Sequence, residues 1–286
     1  MLTSLTSWLQ LIRLPAGFSV ISNVLVAHTL ATHGAIQWNG LVFTLIASLC
    51  LYYGGMVLND CFDYSEDCRE RPQRPLPSQQ VTLNTAWMVG CVLMLLGCLS
   101  AALVNQRMLV VSVVLAFLIV VYDSNRLPGW FRAITMGLCR YVNWLLAMAV
   151  LPLSASSIWL PLPVFCYVVG LTRLSQVEMT EASRFRVYEL LFILMFSLVV
   201  LIALAKFSVL SVIVIMVLGG YYLSLILPLL NPHPPAQVQQ TVGQLVFGLM
   251  PLDAAIGFVF GYWGVSCIVL LLIPLSRLIG SKLYVS

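Results

Sequence analysis

Charge is scarce in this sequence: Asp, Glu, Lys and Arg together make up 8% of its 286 residues. A soluble domain carries about 25%, so a fully water-exposed globular surface is excluded. The net charge of +4 comes without a basic stripe, which leaves no nucleic acid among the expected partners. None of the eight cysteines belongs to a CxxC pair, and most fall in apolar runs. They read as small buried hydrophobes and not as a disulfide or zinc framework. Period-two alternation is also missing, so helices are favoured over a closed barrel. There is no low-complexity segment or convincing repeat, and the opening MLTSLTSWLQLIRLPAG lacks a small-residue cleavage pattern, so no cleavable leader is expected.

Apolar residues are abundant instead, at 61%, with a mean hydropathy of +1.00. The expected fold is all-α, a multi-pass transmembrane bundle of about nine helices (nine or ten) in a single domain over residues 1–286, at roughly 20 residues per span. Apolar runs place spans near Ala16–Thr32, Leu41–Leu58, Leu83–Val104, Met108–Tyr122, Ala133–Leu151, Trp159–Leu174, Leu190–Ala205 and Val209–Leu230. A loop, NPHPPAQVQQ, follows, and then Val242–Leu278, long for one span and short for two, with Gly261–Gly264 as a candidate turn. His28 and His33 have no partner at metal spacing and read as interfacial.

Alternating these spans puts Arg13, Arg69, Arg71, Arg74, Arg126, Arg132, Arg184 and Arg186 on one side and Arg107 and Lys206 on the other. The first side is therefore expected to be cytoplasmic. Arg277 and Lys282 join it only if there are ten spans, which favours ten.

Acidic residues are distributed unevenly. Asp60, Asp63, Glu66, Asp67 and Glu70 are half of all the acids, and Arg69, Arg71 and Arg74 lie among and just after them. If the second span continues one or two turns past Leu58, then Asn59, Asp63 and Asp67 lie at i, i+4 and i+8 on one face. Such hard oxygen ligands hold Mg²⁺, which takes one or two carboxylates together with phosphate oxygens. The arginines can bind the same phosphates in bidentate fashion. Asn23, inside the first span, either bonds a neighbouring helix or touches a ligand. Arg140, inside the fifth, is costly at that depth unless it meets an acid or a diphosphate.

Asn59-Asp60-Cys61-Phe62-Asp63-Tyr64-Ser65-Glu66-Asp67 matches NDxxDxxxD, and Arg71-Pro72-Gln73-Arg74-Pro75 continues it. With a leading Arg13-Leu14-Pro15 and a Tyr-x-x-x-basic element at Tyr122–Arg126, the chain resembles the UbiA superfamily of intramembrane prenyltransferases. The opening LIRLPAGFSVISNVLVAH and the segment GLCRYVNWLL are similar, more weakly, to its EboC-like branch.

The resemblance implies helices around a central cavity, where Mg²⁺ and the diphosphate of a polyprenyl donor meet a lipophilic acceptor in the cytoplasmic membrane. It implies Asn59, Asp63 and Asp67 as metal ligands supported by Asp60, and Arg71 and Arg74 on the diphosphate. Arg126 stands in the place of a lysine as a catalytic and diphosphate-binding cation, and Asn23 and Arg140 become cavity residues on the diphosphate side. Where the family carries a second aspartate motif, this chain has LTRLSQVEMTEASRFR, so Glu178 and Glu181 are the expected ligands of a second metal site. Two rival activities stay open: a terpene cyclase of the same fold, and a non-catalytic isoprenoid or lipid-precursor binder in an export assembly.

Overall fold

A computed structural model describes residues 2–124, 127–177, 182–205, 208–231 and 234–284. Among them every regular element is helical. In chain order the α-helices are α1 (Leu2–Leu11), α2 (Phe18–Ala31), α3 (Trp38–Phe62), α4 (Tyr64–Glu70), α5 (Leu83–Ala102), α6 (Gln106–Asp123) and α7 (Gly129–Met148). They are followed by α8 (Leu162–Ser175), α9 (Arg184–Leu204), α10 (Val209–Ile226), α11 (Pro235–Phe247), α12 (Leu249–Val259) and α13 (Trp263–Tyr284).

Local chemistry sets several of the helix starts. Thr82, Asn105, Ser183 and Ser208 each accept a hydrogen bond from a backbone N–H three residues on, at 3.3, 2.9, 3.4 and 3.0 Å. Each side chain thereby satisfies one of the donors that a helix leaves open at its first turn. The loop expected at NPHPPAQVQQ is partly helical, because Pro235 starts α11 with a residue whose missing N–H is not needed there. The expected turn at Gly261 is present with φ +87, and Tyr262 N–H reaches back to Gly257 O at 2.8 Å.

Nine segments among the described residues are long and apolar enough to cross a membrane. The helix α7 is not one of these, since it carries Arg132, Arg140 and Asn143. It nevertheless packs along α6, α8 and α2 as a further long helix of the bundle. Ser276 Oγ on α13 donates to Pro15 O at 3.0 Å. The two ends of the chain thus meet, and Arg277 falls on the side of Arg13.

Lipid provides no hydrophobic drive between helices, so close packing must supply the attachment. The helices α3 and α5 meet through small residues. A Cβ on Gly97 would lie 2.7 Å from Leu51 Cγ and 3.0 Å from Ala47 O. Large apolar side chains such as Leu95, Phe117, Phe192, Val217 and Leu271 stay exposed on the rim of the bundle, facing lipid. His28 is buried near the end of the first span, and its Nε2 accepts from Gln37 N–H at 3.3 Å. His33 is exposed in the turn that ends the first span.

Candidate active site

The ends of α3, α6 and α8, the start of α7 and all of α4 converge at the end of the bundle that carries Arg13. They enclose a cavity of about 610 Å³. Its rim is polar, with Asn59, Asp63, Asp67, Arg71, Arg74 and Asp123 among the lining residues. Deeper, Val20, Leu115, Ile119, Leu171 and Leu249 make the wall apolar.

The helical row expected of the acidic motif is present. The α3 ladder runs through the bend at Asp63 (ψ 1°) into α4, with Asp63 N–H on Asn59 O at 3.0 Å and Asp67 N–H on Asp63 O at 2.9 Å. The side chains then diverge. Arg74 Nη1 donates to both oxygens of Asp67, at 2.9 and 2.7 Å. Arg13 donates to Asp60 Oδ1 at 3.1 Å, and Arg74 stands 3.8 Å from the same atom. Asp60 and Asp67, both expected at a metal, are therefore held by the arginines of the same rim. Arg71 lines the cavity beside them.

Asp63 has a different electrostatic setting. Burial lifts its carboxyl above the ordinary carboxylate range, Arg132 draws it back down, and Asp67, Glu66 and Asp60 push it up again. At the cavity mouth stands Asp123, the residue after Tyr122 in the Tyr-x-x-x-basic element, to which sequence reasoning assigned no role of its own. It is 3% exposed and takes a hydrogen bond from the Asn59 side chain. Arg132 lies with its guanidinium 5.2 Å over the Tyr122 ring.

A second polar group sits deeper, between α2, α7 and α12. Arg140 donates to Asn23 Oδ1 at 3.2 Å and to Ser19 Oγ at 2.8 Å, and it covers the Tyr52 ring at 5.3 Å. Asn23 Nδ2 in turn donates to Asp253 Oδ2 at 2.6 Å, and Ser22 Oγ donates to the same atom. Asn23 is fully buried, so its amide bonds neighbouring helices, and Arg140 is the member of this group that lines the cavity. Asp253, for which the sequence offered no role, is the counter-charge of this network.

Arg126, Glu178 and Glu181 lie outside the described residues. In the described part of the second polar cluster, Arg173 is bound to Glu189 at 2.6 Å and to Gln176 Oε1 at 2.8 Å, and it covers the Trp130 ring at 4.5 Å. Gln176 Nε2 reaches Gly129 O at 2.9 Å. These contacts tie α7, α8 and α9 together at the cavity mouth.

Mg²⁺ calls for hard oxygen donors, and the rim provides them in a crowd of like charges that raises Asp63. Among the described residues no three of His, Cys, Asp or Glu converge as a metal-holding group, because Arg13 and Arg74 draw Asp60 and Asp67 aside. The fit therefore rests on one or two carboxylates completed by diphosphate oxygens and water, a set that Mg²⁺ accepts.

Comparison with known proteins agrees with this architecture. The chain is 32% identical over 114 residues to a digeranylgeranylglyceryl phosphate synthase of Methanothrix thermoacetophila, covering 40% of this chain and 41% of that protein. It is 25% identical over 122 residues to the synthase of the same name from Saccharolobus solfataricus, covering 43% of each. These matches span less than half the length of either relative. Over most of its length the fold is similar to a UbiA homolog from Archaeoglobus fulgidus bound to GPP and Mg2+, with a TM-score of 0.65 at 14% identity, covering 89% of this chain and 99% of that one. A structure described as giving insight into a digeranylgeranylglyceryl phosphate synthase in membranes aligns at a TM-score of 0.67 and 16% identity, over 90% and 98%. The model of the UbiA prenyltransferase family matches residues 20–248, and this chain, a multi-pass membrane protein, belongs to that family.

Proposed function

We propose that the protein, as one domain, transfers a polyprenyl group from an allylic prenyl diphosphate to a lipophilic acceptor within the membrane, with Mg²⁺ at the diphosphate. The observation that carries this reading is the division of the cavity. Acids and arginines ring one end, and the deeper wall is mostly apolar, interrupted by Ser48, Tyr52, Arg140 and Asn143. An anionic head group and an isoprenoid tail need those two environments side by side.

Arg71 and Arg74 offset the charge of the diphosphate, and Asn59 and Asp63 would hold the metal, Asp67 being turned to Arg74. When bound, Mg²⁺ stabilises the negative charge that grows on the leaving diphosphate. The allylic C–O bond breaks and its electron pair departs with the diphosphate. An electron pair of the acceptor forms the new bond to carbon, and the acceptor then loses a proton. The apolar wall keeps water from capturing the cation first. The excess of arginines at the cavity end supports a cytoplasmic opening.

The test is product analysis with prenyl diphosphates of several lengths, supplied with and without acceptors. Aromatic compounds and a prenylglyceryl phosphate both belong in the panel, the latter because the matched relatives are named for such a product. A prenylated acceptor with released diphosphate is the expected result. Hydrocarbon or terpene alcohol formed without acceptor would indicate a cyclase. Mg²⁺-dependent binding of a non-hydrolysable analogue without diphosphate release from the reactive donor would indicate a binder.

A further inference from the structure

Asp123 closes α6 opposite the acidic row of α3, and nothing in the NDxxDxxxD pattern assigns it a role. It lines the cavity and is 3% exposed. Asn59 donates to its carboxylate, and Asp63 is its foremost charged neighbour. A Cβ built on Gly55, one turn before Asn59, would lie 4.0 Å from Asp123 Oδ2. That oxygen therefore lies against the α3 face that carries Asn59 and Asp63. Among the described residues Oδ2 has no hydrogen-bond partner. Arg132 acts on Asp123 from a distance, while its own guanidinium bonds the Tyr122 side chain.

A buried carboxylate oxygen with no donor is costly, and a second carboxylate beside it adds to the cost. A divalent cation between the two removes both penalties. We infer that Asp123 is a metal ligand, the second carboxylate of a site whose other protein donors are Asn59 and Asp63. This deepens the magnesium reading above and rests on it. Two carboxylates and one amide fall short of a group of three acids, and they match what Mg²⁺ takes from a protein when phosphate oxygens and water fill the other positions. The acid comes from α6, which packs against α3, and not from the acidic row itself.

The test is Mn²⁺ binding to the purified full chain in detergent, followed by loss of the free Mn²⁺ paramagnetic signal, with and without inorganic pyrophosphate. Asp123→Asn should weaken Mn²⁺ binding about tenfold or more, and the metal-free variant should melt no lower than the parent chain, since a stranded buried charge has gone. Asp123→Cys exchanges a hard donor for a soft one, so it should weaken Mn²⁺ binding and tighten Cd²⁺ binding relative to the parent. A purely structural aspartate would not exchange metal preference in this way. If Asp63→Asn weakens Mn²⁺ binding while Asp123→Asn and Asp123→Cys bind like the parent, the assignment of Asp123 is overturned and the magnesium reading stands. If the parent takes up no Mn²⁺ even with pyrophosphate, both are overturned. Should Asp123→Asn fail to fold, the Cd²⁺ titration of Asp123→Cys decides: tighter Cd²⁺ binding supports the ligand, and unchanged binding rejects it.

Discussion

Replacing Arg74 with methionine should destabilise the metal-free protein by more than a rim arginine normally would. Its Nη1 spans both oxygens of Asp67 at 2.9 and 2.7 Å, and the two side chains are 25% and 7% exposed. Breaking a buried pair costs about 3–5 kcal/mol because one charge is left stranded. Screening at the quarter-exposed arginine reduces this towards about 3 kcal/mol. Asp67→Asn should cost less, about 1–2 kcal/mol, because it leaves a cation that can be hydrated and that already stands 3.8 Å from Asp60. The double variant strands neither charge, so its loss should fall below the sum of the single losses by about 2 kcal/mol. The assay is denaturant unfolding in mixed micelles with chelator present, on the parent, both single variants and the double. Additivity within about 0.5 kcal/mol would mean that the two side chains do not interact, and the account of why Asp67 is turned from the metal would be refuted.

Asp63 should make the metal-free protein sensitive to pH. Burial raises its carboxyl above the ordinary carboxylate range, so its contribution to stability is complete below that range and is lost as pH rises through the raised value. The melting temperature of the parent relative to Asp63→Asn should therefore fall between acid and neutral pH. A difference that does not change with pH would contradict the partial burial of Asp63. Gly97→Val should separate α3 from α5, since the first added carbon already meets Leu51 and the Ala47 carbonyl at 2.7 and 3.0 Å. A loss of about 1–3 kcal/mol in the same unfolding assay is expected. Gly243→Ala, with nothing within 4 Å, should be neutral or stabilising. Asn23→Leu removes the amide that links Arg140 to Asp253 and should lower stability by about 2–4 kcal/mol; unfolding at the parent's denaturant concentration would show that the network carries little.

The spans and the acidic row were legible because each is written in contiguous residues. An apolar run needs no partner to be recognised, and Asn59, Asp63 and Asp67 keep their spacing whatever they face. One element was obscured by composition: α11 begins in a proline-rich segment that reads as loop, whereas α7 was legible as a span despite Arg140 and Asn143. What stayed hidden depends on pairing across the bundle. Asp253 acquires meaning only where α12 meets Ser22 and Asn23 of α2. Asp123 does so only where the end of α6 meets Asn59 of α3. The sequence also could not tell that Arg13 and Arg74 would engage Asp60 and Asp67, because four arginines lie within reach of the motif and spacing alone ranks none of them.

Diphosphate release from a panel of prenyl donors, measured on the parent chain and on Asp63→Asn with Mg²⁺ present, tests the central claim most directly. Release by the parent and at least about a hundredfold loss in the variant is the predicted result, in line with the removal of a preorganised electrostatic contact at a leaving group. Equal release by the two proteins, or none from the parent with any donor, would contradict it.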